Sequence, residues 1–332
     1  MAEIAAAAGV SLATVSKVWN GRADVSESTR RRVDDLLREH GYRGRAVRRE
    51  ASAGVIDVVF SEIDCAWEGE HIRGLEAAGS DAGVRMVVSA LDRGETSRRQ
   101  LLSRLRAGRT DGVILATDTA SGALVSALSR LHVPVVTIDQ LAWNPDLPFV
   151  DAANFAGARV ATAHLLSLGH TRIGLVSGLE QLMCSRARRD GFLAAHDDAG
   201  LTPDPDLIER GDFNVPSGIA AGARLLDRRH PPTAIFAMND GMAMGVYKAA
   251  RLRGVTVPDQ LSVVGFDDLP SVRWASPPLT TVRQPLREMG ALAMRTVLGQ
   301  ADGGVLDTEL VVRESTASPA AQSRPRSVSV RT

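Results

Sequence analysis

Groups that bind or react stand at the ends of short apolar runs. Asp139 ends the run 133–138, and Asn239-Asp240 follow 233–238 and open a helical segment. Asp267-Asp268 follow Val263-Val264-Gly265-Phe266, and Arg186 and Arg188 come just after a strand and its turn. Trp67 closes the loop 61–67 behind the first run and offers a flat face. A carboxylate accepts hydrogen bonds, an amide both donates and accepts, and a guanidinium donates a fork, which is the equipment for holding a small polar molecule. The same groups are badly placed for catalysis. Asp267 and Asp268 are sequence neighbours, so their side chains diverge, whereas glycosidic hydrolysis needs carboxylates facing each other across a bond. The chain has no G-x-G-x-x-G after a strand, no G-x-x-x-x-G-K-[ST] and no G-x-S-x-G. Its seven His residues show no metal spacing, and two cysteines, Cys65 and Cys184, make neither a disulfide framework nor a four-ligand zinc site. No catalysis, cofactor or metal is expected.

The elements that must position these groups alternate. Apolar runs at 55–60, 84–89, 112–116, 133–138, 173–176, 233–238 and 261–265 are separated by helix-period segments at 68–82, 97–107, 122–131, 154–168, 186–199, 217–229 and 240–253. Such alternation predicts parallel sheets covered on both faces by helices. The pattern runs through about four units and then repeats, so two similar α/β lobes are expected. Ligands of such sheets sit beyond the carboxyl ends of the strands, here in the cleft between lobes.

At 332 residues the chain is long for one domain, and 44% hydrophobic against 23% charged residues supports full-sized cores. Net charge is zero, yet residues 1–54 hold 10 Lys/Arg against 7 Asp/Glu, and 41–50 has four Arg and one Glu. A basic head on a slightly acidic body points to a polyanion partner for the head. No apolar run reaches the ~20 residues of a membrane span, and no signal peptide is evident, so a soluble cytoplasmic protein is expected.

The head reads as a short Ala-rich helix over 1–8, a turn at Gly9-Val10-Ser11, a second helix to about Asn20, and a third from Ser26 to His40-Gly41. Gly9 suits a tight turn and Ser11 is a good N-cap. Ile4, Ala5, Val10, Val15 and Val18 can pack a small core, which leaves Leu12, Ala13, Ser16 and Lys17 outward. Two helices joined by a glycine turn and buttressed by a third form a helix-turn-helix, whose second helix can enter a major groove.

The string IAAAAGVSLATVSKVWNGRADVSESTRRRVDDLLREHGY closely resembles the DNA-binding headpiece of the lac-repressor (LacI/GalR) family. The body resembles that family's effector-binding core, of the type I periplasmic-binding-protein fold, through HLLSLGHTRIGLVSG, SRARRDGF, GDFNVPSG, TAIFAMNDGMAMG, VPDQLSVVGFDDLP and SPPLTTVRQP. The resemblance spans residues 1–316 and implies a headpiece at 1–42, a basic hinge at 43–54 and a two-lobed core at 55–316. The N-lobe would take about 55–153 plus 286–308, and the C-lobe about 154–285 plus 309–316. The Ser/Pro/Arg-rich tail from Ser315 reads as disordered, set at 317–332 in the domain division.

By position, the resemblance implies that Leu12, Ala13 and Lys17 face base edges and that Ser11, Thr14, Ser16, Asn20, Ser26 and Thr29 hold phosphates. Lys17 reaches guanine O6/N7 and Leu12 a thymine methyl, while short hydroxyls set register on the backbone. The family has a few residues ahead of the first helix, including its N-cap, so the native start is expected upstream of Met1. In the hinge, Ala51 falls where the family places a wedging Leu, and the linker is shorter. Arg45, Arg48 and Arg49 are expected to enter a narrow minor groove instead, with little kinking. In the core, the resemblance implicates Asp139, Arg188, Asn239, Asp267 and Gln284 as polar groups on an effector and Phe213 as an aromatic wall, with Trp67 a second platform. Vicinal hydroxyls over an aromatic face suit a sugar. The expected partners are a near-palindromic double-stranded DNA operator and a small-molecule sugar effector. The tail has no leucine heptads of the kind that join dimers into tetramers, so a homodimer is expected. The function implied is a sugar-controlled transcriptional repressor. A sugar-binding protein without a regulatory role and a sugar enzyme are the alternatives.

Overall fold

The computed structural model describes residues 2–11, 14–15, 18, 25–39, 54–91, 95–107, 110–116, 124, 127–128, 133–139 and 147–319. It folds as two units, a small N-terminal one and a large body.

In the N-terminal unit, α1 (Ala2–Ala8) ends at Gly9, whose φ of 65° is the left-handed conformation that stops a helix without a Cβ penalty. Val10 N–H then donates back to Ala5 O at 3.0 Å. Thr14, Val15 and Val18 are helical, and α2 (Glu27–Glu39) follows. Ile4, Ala5, Ala8, Val15, Val18 and Val33 form one buried cluster, with Val10, Val25 and Leu36 packed on it. Six small apolar side chains suffice because three short helices present one stripe each.

The body holds two six-stranded sheets. Chain order runs β1 (Val55–Phe60), α3 (Ala66–Asp81), β2 (Arg85–Ala90), α4 (Glu95–Arg106), β3 (Gly112–Ala116), β4 (Val135–Ile138) and β5 (Phe149–Ala152). It continues with α5 (Asn154–Ser167), β6 (Ile173–Ser177), α6 (Met183–Asp198), β7 (Ile208–Arg210), α7 (Val215–Leu226), β8 (Ala234–Ala237), α8 (Asp240–Leu252) and β9 (Ser262–Asp267). It closes with β10 (Thr280–Arg283), α9 (Leu286–Val297), β11 (Gly304–Leu306) and β12 (Glu309–Val311). The sheet orders are β11-β5-β4-β3-β1-β2 and β12-β10-β9-β8-β6-β7. The recorded pairings are parallel except β10 with β12, which is antiparallel.

The chain therefore changes sheet three times, at 152–154, 283–286 and 306–309. The expected runs correspond to β1, β2, β3, β4, β6, β8 and β9, and each is apolar because helices cover both faces. The elements that sequence reading passed over, β5, β7, β10, α9, β11 and β12, are strands of three or four residues plus the crossover helix. The helix expected at 122–131 falls largely outside the described residues, although Leu124, Ala127 and Leu128 are helical and buried.

Helices pair across each sheet through small residues. A Cβ on Gly74 of α3 would sit 1.9 Å from Arg287 O of α9, and one on Gly290 would sit 2.3 Å from His71 O. These two glycines bring α3 and α9 into backbone contact. A salt bridge from Arg287 Nε to Glu70 Oε2 at 2.5 Å ties the same pair at the surface.

The tail reading needs correction at its start. Ser315 is fully buried, accepts from Thr280 N–H at 2.7 Å and donates to Val263 O at 2.6 Å. Ala317 O accepts from the His170 ring at 2.8 Å and from Ser262 Oγ at 3.0 Å. A polar composition does not leave a segment free when strand-end hydroxyls need partners. Residues 320–332 lie outside the described residues.

Candidate functional site

A cavity of about 270 Å³ opens between the carboxyl ends of the two sheets, of the size that takes a small molecule. From the first lobe come Ser61, Glu62, Asp64, Cys65, Trp67, Glu68, Ala116, Ile138 and Asp139; from the second, Leu179, Leu182, Cys184, Arg188, Asp212, Phe213, Asn214, Val215, Asn239, Gly241, Asp267 and Leu269. Six of the seven expected effector residues meet here: Trp67, Asp139, Arg188, Phe213, Asn239 and Asp267. The seventh, Gln284, does not line the cavity. It stands behind the wall at the second crossover and donates through Nε2 to Asp267 Oδ1 at 2.6 Å.

Backbone conformation marks the same place. Among the described residues, the non-glycine positions with positive φ are Asp139 (51°), Phe213 (72°), Asp267 (117°) and Asp268 (56°). Each costs on the order of 1–3 kcal/mol, and such strain collects where function requires an aimed side chain. Three of the four line the cavity.

A polar chain runs behind the cavity through two of the crossovers. Asp151 Oδ1 accepts from Ala152 N–H and from Asn154 Nδ2, both at 2.8 Å. Asn154 Oδ1 accepts from Arg188 Nε at 2.7 Å, and Arg188 Nη1 donates to Met238 O at 2.5 Å. Arg188 Nη1 stands 3.8 Å from Asp267 Oδ1, and the guanidinium carbon lies 3.9 Å from the Phe266 ring centre. Arg188 is only 3% exposed, so it frames the second lobe as much as it faces the cavity.

Burial controls the carboxyls. Desolvation pushes the Asp267 carboxyl up to about 6 against the pull of Arg188 and the Gln284 bond. It raises Asp139 well above the usual range, reinforced by the charge of Asp151. Asp139 Oδ1 and Gln284 Oε1 are buried acceptors without a hydrogen-bond partner. Burial also pushes the Cys184 thiol up to about 12, which makes it an inert lining group.

Several expectations shift in detail. Trp67 sits in the first turn of α3, edge-on to Phe60 at 6.4 Å and against His71 at 4.2 Å, rather than in the preceding loop. Asn239 caps α8: Oδ1 accepts from Met242 N–H at 2.9 Å while Nδ2 donates to Phe213 O at 2.8 Å. Asp240, the first residue of α8, is a buried brace accepting from Leu269 N–H at 2.8 Å and Thr281 Oγ1 at 2.6 Å. Asp268 binds Arg273, Arg283 and Arg313 with its side chain 1% exposed. Arg186 and Arg189 are exposed. Sequence reading missed Asp151 and Asn154, which lie on a four-residue strand and its exit. It also missed Asp64 and Cys65, in the loop after β1, and Glu68, in the first turn of α3, which carry no signal beyond their place after β1.

In the N-terminal unit, Ser11 Oγ accepts from Thr14 N–H at 3.1 Å and lies 2.9 Å from Thr14 Oγ1. Ser26 Oγ donates to Thr29 Oγ1 at 2.8 Å and caps α2 through Thr29 N–H at 3.4 Å. Four of the six phosphate candidates thus mark two helix starts, which are anion-favouring ends. Leu12, Ala13, Ser16, Lys17, Asn20, Arg45, Arg48, Arg49 and Ala51 lie outside the described residues.

A helical headpiece joined to a two-lobed α/β core with a cleft at the strand ends defines a ligand-binding protein that reads DNA. Residues 1–44 match "Bacterial regulatory proteins, lacI family", and residues 162–317 match "Periplasmic binding protein-like domain". The chain is 36% identical to the HTH-type transcriptional regulator DegA of Bacillus subtilis (strain 168) over 329 residues, 95% of this chain and 97% of the relative. Among solved structures it resembles the transcriptional regulator CelR–cellobiose complex (31% identity, TM-score 0.72, 94% of this chain and 98% of that one). It also resembles the lac repressor dimer bound to operator and the anti-inducer ONPF (28%, TM-score 0.70, 95% and 98%). The chain belongs to the lacI family of bacterial regulatory proteins: it is a transcriptional regulator, not an enzyme. No helix among the described residues is long and apolar enough to cross a membrane.

Proposed function

We propose that this regulator is a repressor whose operator affinity is set by a small sugar bound between the lobes. The observation that carries the reading is the cleft itself, with Trp67 and Phe213 as aromatic faces and strained Asp139 and Asp267 as aimed acceptors. The solved relative that holds cellobiose supports it. In this reading Asp139, Arg188, Asn239 and Asp267 take hydroxyls, and Gln284 holds Asp267 in place. A ligand touching both lobes favours one lobe orientation, and only its differential affinity can shift DNA binding.

Lys17, Leu12 and Ala13 read base edges; Ser11, Thr14, Ser16, Asn20, Ser26 and Thr29 hold phosphates. Arg45, Arg48 and Arg49 lie in the minor groove, with Ala51 too small to unstack a base step. Two copies form a symmetric dimer that reads a near-palindrome, a reading supported by the solved lac repressor, a dimer bound to operator.

The test is a gel shift of the full chain on the DNA upstream of its own gene, against random duplex, with and without neutral mono- and disaccharides. Promoter-selective retention that a saccharide changes supports the reading. Equal retention of both duplexes, unmoved by every saccharide, overturns it.

A further inference from the structure

The cavity is charged in one sense. Glu62, Asp64, Glu68, Asp139, Asp212 and Asp267 line it, and among the described lining residues Arg188 is the lone cation. That guanidinium is already engaged: Nε donates to Asn154, Nη1 donates to Met238 O, and Phe266 covers one face at 3.9 Å. A phosphate or carboxylate is best held by a free fork or ammonium, and with Nε and Nη1 committed Arg188 does not present the fork.

The unmet hydrogen-bond demand has the same sense. Asp139 Oδ1, on the cavity wall, is a buried acceptor that lacks a donor. A hydroxyl or an ammonium satisfies such an atom; a second carboxylate or a phosphate deepens the conflict. Helix starts oppose this charge. The helices α6 and α7 begin at the cavity with no acidic residue in the first turn, and each start is equivalent to about half a positive charge. Two halves do not offset the surplus of acidic side chains over one guanidinium. Burial holds Asp139 and Glu68 above their ordinary ranges, Asp139 against the pull of Arg188, so further negative charge at either position is disfavoured.

Resting on the sugar reading, we propose that the cavity takes saccharides that carry no anionic group, neutral or amino sugars, and excludes their uronate and phosphorylated counterparts. Donor groups of the ligand meet Asp139 and Asp267, and Trp67 and Phe213 cover its C–H faces. The two admitted classes share one chemistry, that of a hydrogen donor without negative charge.

The experiment is a thermal-shift and calorimetric titration of the full-length protein at pH 7.5 with glucose, ribose, cellobiose, glucosamine, glucuronate and glucose 6-phosphate. A neutral or amino sugar should bind, and glucuronate and glucose 6-phosphate should bind at least tenfold more weakly or not at all. Glucosamine above glucose assigns an ammonium to the acceptors, and the reverse order assigns hydroxyls. Either anion binding as tightly as glucose overturns the proposal. Asp139→Asn, which keeps a residue at ease with positive φ, is measured without ligand at the same pH. A raised melting temperature supports the excess of negative charge, and an unchanged or lowered one refutes it. Should no sugar of either charge bind, the sugar reading fails, and the Asp139→Asn melt still decides the charge argument.

Discussion

Arg188→Ala is the most informative single change, because Arg188 joins three strand or helix ends at once. It removes the donors to Asn154 Oδ1 and Met238 O, the 3.8 Å approach to Asp267, and the cation over Phe266. Removing one partner of a buried ionic group costs about 3–5 kcal/mol, since the other charge stays buried without compensation. For a body of this size, ~2–4 °C per kcal/mol translates this into a melting point lower by about 6–20 °C. The body should still fold at 25 °C, so promoter binding survives in a gel shift while any saccharide response is lost. The assay is urea unfolding followed by circular dichroism, on wild type, Arg188→Ala, Asp267→Asn and the double variant. Neutralising Asp267 relieves the orphaned charge, so the double variant should be more stable than additivity predicts by about 0.5–3 kcal/mol. A melting point within 1–2 °C of wild type, by the same conversion, or strict additivity, refutes the reasoning.

Further outcomes follow from the same geometry. With Asp267 raised from 3.8 to about 6, the folded state holds its proton longer than the unfolded chain. Stability contributed by this group is therefore present below pH 3.8 and is lost as pH rises to about 6, by about 3 kcal/mol at 1.36 kcal/mol per pH unit. The stability of Asp267→Asn relative to wild type should rise by most of that amount between pH 4 and pH 7.5 in urea titrations, and a flat difference contradicts it. Gly74→Ala forces α3 off α9 and should cost about 1–3 kcal/mol, whereas Gly69→Ala in the same helix meets nothing within 4 Å and should be neutral or stabilising in the same melts. Lys17→Ala should weaken operator binding by about 1–3 kcal/mol and relax the preference at one base pair; unchanged selectivity in competition gel shifts removes it from the base edge.

The alternation of strands and helices was legible because strands buried on both faces are written as short Val/Ile runs, such as 55–60 and 112–116, which the structure reproduces as β1 and β3. The head was legible for a similar reason: a glycine turn and a Ser cap are local signals, and Ile4, Val15 and Val18 fall on one face. Strands of three or four residues, β7, β10, β11 and β12, carry no period of their own and exist only because longer neighbours pair with them. The cavity residues were partly legible because parallel sheets put ligands at strand ends. Asp139, Asp267 and Arg188 stood there, while Asp64, Cys65 and Glu68 followed β1 without any distinguishing pattern.

By itself, then, the sequence determined the order of the elements, the two-lobed α/β body behind a three-helix head, and the strand ends where polar groups cluster. Those are consequences of local periodicity and turn chemistry, which a linear string records. Only the tertiary structure decided that Gln284 braces Asp267 from behind, that Asp240 holds Leu269 and Thr281, that Asp268 gathers three arginines, and that Ser315 and Ala317 are docked. Each depends on which buried polar atoms come within about 3 Å across separations of up to roughly 150 residues. A linear pattern says nothing about such pairings, because burial and partner choice are settled only when the two sheets and their three crossovers come together.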